Sequence, residues 1–479
     1  MSAETFIIII VGYFGILFVI SWLTGRKATN DTFFLGNRKS PWFLVAFGMI
    51  GTLLSGATFI SVPGWVGDSS FSYMQMVLGY LVGYFVIANV LLPLYYKLNL
   101  TSIYSYLGTR FGKYSYKTGS LFFILSRLLG ASARLYLAAM VLQLAIFKEW
   151  GIPFEVTVVV TIVLIWLYTF RGGIKTVVWT DALQTLFMLL AVILTIIMIS
   201  GELGFSFKSF LSTLYETDYT DTFFFSDWGD KRHFVKQFLS GIFIAIVMTG
   251  LDQDMMQKNL TCRNLKDARK NMFSYSIALI PVNLIFLSLG ALLYIYVSKE
   301  GIVMPEKADD LFPMIATKGY LSPLVAIFFI LGIIAASYSS ADSTLTALTT
   351  SFSVDILNIE KYKDEKRRKA TRMRVHVIFS MLAIITILAF NIAESESIVD
   401  VVFQIAGYTY GPLLGMFAFG LFTKIQIRDV WAPFIALASP VLSFVIHFAI
   451  ERYTGYRMAY EVLIINGGLT FLGLLIVRR

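Results

Sequence analysis

Five hydroxyl residues, Ser337, Ser339, Ser340, Ser343 and Thr344, stand with Asp342 in an apolar run from about Leu321 to Leu348 that is long enough to cross a bilayer. Hydroxyls and carboxylates are costly in hydrocarbon, and where they occur at depth they face a cavity or an ion path rather than lipid. On a helix, Ala336, Ser339, Ser340 and Ser343 recur at three- and four-residue spacing and share one face. Such a face of small oxygen-bearing groups suits a small hard cation, because serine supplies oxygen ligands without bulk.

Two further stretches look able to complete such a site. Gly48 to Gly64 holds four glycines and Pro63 within seventeen residues, and Gly241 to Gln257 carries Thr249-Gly250-Leu251-Asp252-Gln253-Asp254. Helices so composed are easily unwound, and an unwound turn frees backbone carbonyls that can hold a cation. Discontinuous helices at matching places in two halves of a chain are the sequence sign of a transporter site. Arg127 and Arg134 are seven residues apart and share a face of a predicted span, Arg127 lying roughly 15 Å beyond Lys117. A guanidinium at that depth either grips a carboxylate-bearing solute through paired hydrogen bonds or closes an internal pair with Asp181, Asp252 or Asp342.

The elements that must position these groups follow from composition. The chain has 479 residues, 57% hydrophobic and only 14% charged, with a mean hydropathy of +0.73, which describes a multi-span membrane protein. Apolar runs fall at about 5–25, 41–67, 73–97, 118–147, 154–170, 176–200, 234–256, 271–298, 321–350, 375–393, 397–423, 429–450 and 459–477, giving thirteen predicted transmembrane helices. Arg26 and Lys27 follow the first run instead of preceding it, so it reads as a retained helix and not a cleaved leader. Of the 39 Lys and Arg, 27 fall in alternate loops and at the C-terminal Arg478-Arg479, and 10 in the opposite set. Cytoplasmic loops carry this excess, so the expected topology has the N-terminus outside and the C-terminus inside the plasma membrane.

The basic run Glu360 to Lys369 is expected to be a solvated loop touching anionic headgroups. Nucleic acid is not an expected partner, because the positive charge forms no aromatic-interleaved patch. The single cysteine, Cys262, falls in an expected basic cytosolic loop and allows no internal disulfide. His233, His376 and His447 lie in separate segments without metal-ligand spacing, which argues against an intramembrane enzyme.

Arg171-Gly172-Gly173-Ile174-Lys175-Thr176-Val177-Val178-Trp179-Thr180-Asp181-Ala182-Leu183-Gln184 resembles the glycine-pair, Trp-Thr-Asp and Gln pattern of the sodium/solute symporter family. Asp31 to Arg38, Ser55 to Gly64, Asp252 to Gln257 and Tyr410 to Gly415 are similar to further family stretches. The resemblance implies an all-α, LeuT-type fold of two inverted five-helix repeats, about 41–200 and 234–423, preceded by a helix at 5–25 and followed by two at 429–477. It implies symport of a small solute with sodium as the coupling ion and no other cofactor. The implied sodium site is made of the carbonyls of Gly51, Leu54 and Ala336 and the hydroxyls of Ser339 and Ser340. A second sodium is implied at Asp181, Ser339, Asp342 and Ser343, with Asp342 standing where the family often has serine. Ser55, Thr58, Gln75, Arg127, Arg134, Asp252 and Gln404 are the expected substrate-lining residues. The arginines favour an organic anion as solute; a neutral sugar or polyol is the other reading, and a channel a third.

Overall fold

The computed structural model describes residues 3–26, 28–143, 147–392, 398–456, 458 and 461–479. The ends of the expected segments at 144–146, 393, 397 and 459–460 lie outside these residues. Among the described residues the chain is helical, apart from two isolated bridges and the connecting turns.

In chain order the helices are α1 (Ala3–Gly25), α2 (Asn30–Leu35), α3 (Trp42–Leu54), α4 (Gly56–Ser69), α5 (Tyr73–Lys97), α6 (Ser105–Arg110), α7 (Lys113–Leu142), α8 (Phe154–Thr169), α9 (Ile174–Glu202) and α10 (Phe207–Tyr215). They continue with α11 (Phe234–Gly250), α12 (Gln253–Leu260), α13 (Leu265–Lys299), α14 (Leu311–Thr317), α15 (Pro323–Ile356), α16 (Glu365–Ile392), α17 (Ile398–Phe422), α18 (Ala432–Thr454) and α19 (Glu461–Ile476). Nine of the described helices are long and apolar enough to cross a membrane. Two bent pairs pass the same test jointly, one broken by 58° near Ser55 and one by 64° between Gly250 and Gln253. Two shorter apolar helices, α8 and α19, complete the set.

Helix α15 is the hub. From Phe329 to Ser351 every residue on it is buried, the hydroxyl cluster included, so over this stretch the helix meets protein on all sides and lipid on none. Helix α9 packs along one of its flanks, with α3 against α9. A nest of rings, Phe59 of α4 with Phe286, Phe312 and Phe329, seats the arm beyond the first break. By contrast α18 turns Leu437, Val441, Phe444 and Phe448 outward, as a lipid-facing helix does.

Three expectations are corrected. Lys258, counted with a cytosolic loop, lies on α12 and is 1% exposed. Cys262 is buried rather than displayed. The basic run from Glu360 is only partly a loop, because α16 already begins at Glu365. For Lys258 and for Glu365 onward, helical structure extends beyond the apolar run at its end or its start, so hydropathy alone makes the element too short; Cys262 lies just past α12 in a short bridge to Ser40.

Candidate functional site

The first break is made by Ser55, whose backbone (φ 17, ψ 167) leaves the helical region between α3 and α4. The last four carbonyls of a helix have no intrahelical donor, so Gly51, Thr52, Leu53 and Leu54 offer acceptors here. Small residues are required on both sides of the break. The Gly51 N–H donates to Thr185 Oγ1 at 3.1 Å, and a side chain at Gly51 would collide with Thr185, one at Gly56 with Ser337.

At the second break the freed carbonyls are already used. Tyr95 donates to the Gly250 carbonyl at 2.8 Å and Tyr104 to that of Leu251 at 3.0 Å. Asp252 caps α12 through the Met255 N–H at 3.2 Å. It also accepts Arg127 Nε at 2.6 Å and the Tyr410 hydroxyl, and Asp254 lies 3.6 Å from the same guanidinium. Of the two readings open for Arg127, the structure thus shows the internal pair.

Across the first break stands the hydroxyl face of α15, which brings Ala336, Ser339 and Ser340 together as their spacing predicted. Ser339 donates its hydroxyl to Asp181 Oδ1 at 2.6 Å, and its Oγ lies 3.2 Å from Thr52 Oγ1. The Ser340 hydroxyl is buried without a protein partner. Ser343 donates to the Ser339 carbonyl at 2.9 Å. Asp342 Oδ2 accepts from Tyr168 at 2.9 Å and Thr180 at 3.2 Å, while its Oδ1 is unpartnered. Asp181 Oδ2 is taken by Lys258 Nζ at 2.6 Å and by Thr52 at 3.2 Å, and Lys258 also donates to Thr52 Oγ1. A fixed ammonium therefore sits on the carboxylate where the resemblance implied a second sodium.

Against the same break lies a cavity lined by Leu53, Leu54, Ser55, Thr58, Tyr73, Tyr80, Tyr84, Arg134, Ile244, Ala245, Met248, Thr249 and Val402. Arg134 makes no ion pair among the described residues, and the Thr249 hydroxyl has no partner. Four expected lining residues lie elsewhere. Arg127 and Asp252 are locked in the pair above. Gln75 ties down the 201–232 connection, donating to the Arg232 carbonyl at 2.7 Å and accepting from the Phe224 N–H at 3.2 Å. Gln404 is exposed on α17.

Sequence reasoning missed Lys258, Thr52 and the Tyr84 side of the cavity. Lys258 follows an apolar run and precedes Arg263, Lys266, Arg269 and Lys270, so it reads as one more loop cation. Thr52 and the tyrosines are ordinary residues in apolar helices, and only contacts made across the fold mark them out.

A sequence model of the Sodium:solute symporter family matches residues 33–427. The chain belongs to that family. It is a sodium-coupled symporter of the multi-pass membrane type, and the family consists of transporters and not of enzymes. The sodium/sialic acid symporter of Proteus mirabilis is 27% identical over 434 residues, covering 87% of this chain and 84% of that protein. Sodium-coupled monocarboxylate transporter 2 of Danio rerio is 26% identical over 432 residues, covering 86% of this symporter and 68% of the relative. A sodium-coupled sialic acid symporter, solved in a substrate-bound outward-open state, superposes with a TM-score of 0.83 at 21% identity, over 98% of this chain and 97% of its own. This symporter shares that fold.

Proposed function

We propose that this symporter couples sodium to the uptake of a small organic anion, with Arg134 as the carboxylate ligand. The observation that carries this reading is a guanidinium without an ion pair on the wall of a cavity that adjoins the first break. Arg134 is half-buried and has no ion-pair partner among the described residues, and Arg fits a carboxylate through two parallel hydrogen bonds. The sialic acid and monocarboxylate relatives support the same solute class.

Sodium is the coupled substrate, held by the carbonyls of Gly51, Leu54 and Ala336 and the hydroxyls of Ser339 and Ser340. Fit is supported by oxygen chemistry. Helix ends supply free carbonyls, Ser340 has a hydroxyl to give, and Ser339 points its proton away towards Asp181. Leu54 is common to the ion site and the cavity wall, so filling one shapes the other.

The reading extends to thirteen crossings, since nine long helices, two bent pairs and two shorter apolar helices fall on the expected segments. In it two inverted five-helix repeats, about 41–200 and 234–423, each open on a broken helix, with α1 before them and α18 and α19 after. The N-terminus lies outside and the C-terminus inside the plasma membrane, and one half rocks against the other around the fixed site.

A neutral polyol is the second reading, favoured by the hydroxyls of Ser55, Thr58 and the three tyrosines on the cavity wall. Thermal shift of the purified full chain against carboxylates and neutral polyols, each in sodium and in potassium, separates the two. Organic acids are expected to stabilise only with sodium, and Arg134→Lys to raise the uptake KM by about 10-fold or more, roughly 1.4 kcal/mol. Stabilisation by polyols alone, with an unchanged KM in Arg134→Lys, would remove the anion reading. Solute flux that persists without sodium would point to a channel.

A further inference from the structure

Asp181 is wholly buried on α9, and a carboxylate there has to be neutralised. Lys258 does this from α12. Its Nζ lies 2.6 Å from Asp181 Oδ2 and bonds to Thr52 Oγ1 on α3, while Ser339 on α15 fills Asp181 Oδ1 at 2.6 Å. A carboxylate oxygen and neighbouring hydroxyls, gathered from three helices, are the ligands that a hard monovalent cation takes. An ammonium is such a cation on a four-carbon stem.

We infer that the ε-ammonium of Lys258 is a tethered cation standing where a second sodium would be held, so that this symporter takes a single coupling sodium, at the Gly51–Leu54 break. The inference rests on the sodium site proposed above and deepens it. The tethered charge never leaves the protein, so it satisfies Asp181 and holds Ser339 in place without adding to the charge transported per cycle. Removing it leaves a buried carboxylate alone, and an isolated buried charge is strongly unfavourable. With the Thr52 and Ser339 hydroxyls beside it, the vacated position is set up to recruit sodium.

The test is equilibrium binding of radioactive sodium to the purified full chain. Wild type is expected to bind one ion per protein, and Ser340→Ala to bind it about 10-fold more weakly or worse. Lys258→Gln should bind two, and Lys258→Gln combined with Asp181→Asn should return to one. Two ions on wild type overturn the inference, and so does a folded Lys258→Gln that binds one or none. Loss of the wild-type pair to a single ion in Asp342→Asn would place a second sodium at Asp342 and equally overturn it. Should Lys258→Gln not fold, the wild-type stoichiometry decides: one ion supports the inference and two end it. An unchanged ion count and affinity in Ser340→Ala, by contrast, would fault the first sodium site and not the lysine.

Discussion

Ser339 and Ser340 are neighbours with different attachments, and this separates what their substitution does. Ser340 has no protein partner for its hydroxyl, so in the proposed sodium site Ser340→Ala would delete an ion ligand and little else. Sodium affinity is expected to fall about 10-fold or more, roughly 1.4 kcal/mol per tenfold, with thermal stability in potassium unchanged. Ser339 donates to Asp181, so Ser339→Ala also strands a buried carboxylate oxygen and is expected to cost about 1–3 kcal/mol of stability without any sodium present. Equal melting temperatures for the two variants in potassium would contradict this. The hydroxyl face was legible because serines at helical spacing are conspicuous in hydrocarbon. The partner of Asp181 was not, because Lys258 is hidden among loop cations in sequence and only the break at Gly250 turns its helix inward.

At the scale of elements, both breaks could be read from glycine and proline, but not their inequality. The carbonyls at Gly250 and Leu251 are capped by Tyr95 and Tyr104, which lie about 150 positions earlier in the chain and carry no local signal. Arg127 then fastens α7 to the second break through Asp252. Cutting one partner of such a pair leaves an uncompensated buried charge, so Arg127→Ala should lose about 3–5 kcal/mol of stability, and adding Asp252→Ala should restore much of it. Chemical denaturation of the two variants checks this. A substrate-contact role would instead leave stability near wild type and weaken solute binding. The same logic applies to Gln75: polarity in a span marks a buried need, which here the 201–232 connection satisfies, whereas Gln404 is exposed.

On the scale of the whole molecule, α3 ahead of the first break and α12 beyond the second are not independent. Ser40, just ahead of α3, donates its N–H to the Thr261 carbonyl just beyond α12 at 3.1 Å, and Ser40 and Cys262 form a short parallel bridge. Such a backbone stitch links α3 to α12, and in the topology proposed above, where both of these ends face the cytoplasm, opening to that side either carries the stitch along or parts it. The chain has a single cysteine, and it stands at that stitch. Burial pushes its thiol up to about 12, with Asp267 adding to the shift, so near neutral pH almost no thiolate is present to react. Maleimide labelling of the native protein is therefore expected to be slow, and to change rate with sodium and solute only if the stitch parts during the cycle. A rate indifferent to both ligands would mean that the two helices travel still sewn together. Either outcome reports on the junction of α3 and α12 in the unaltered chain, with no engineered label.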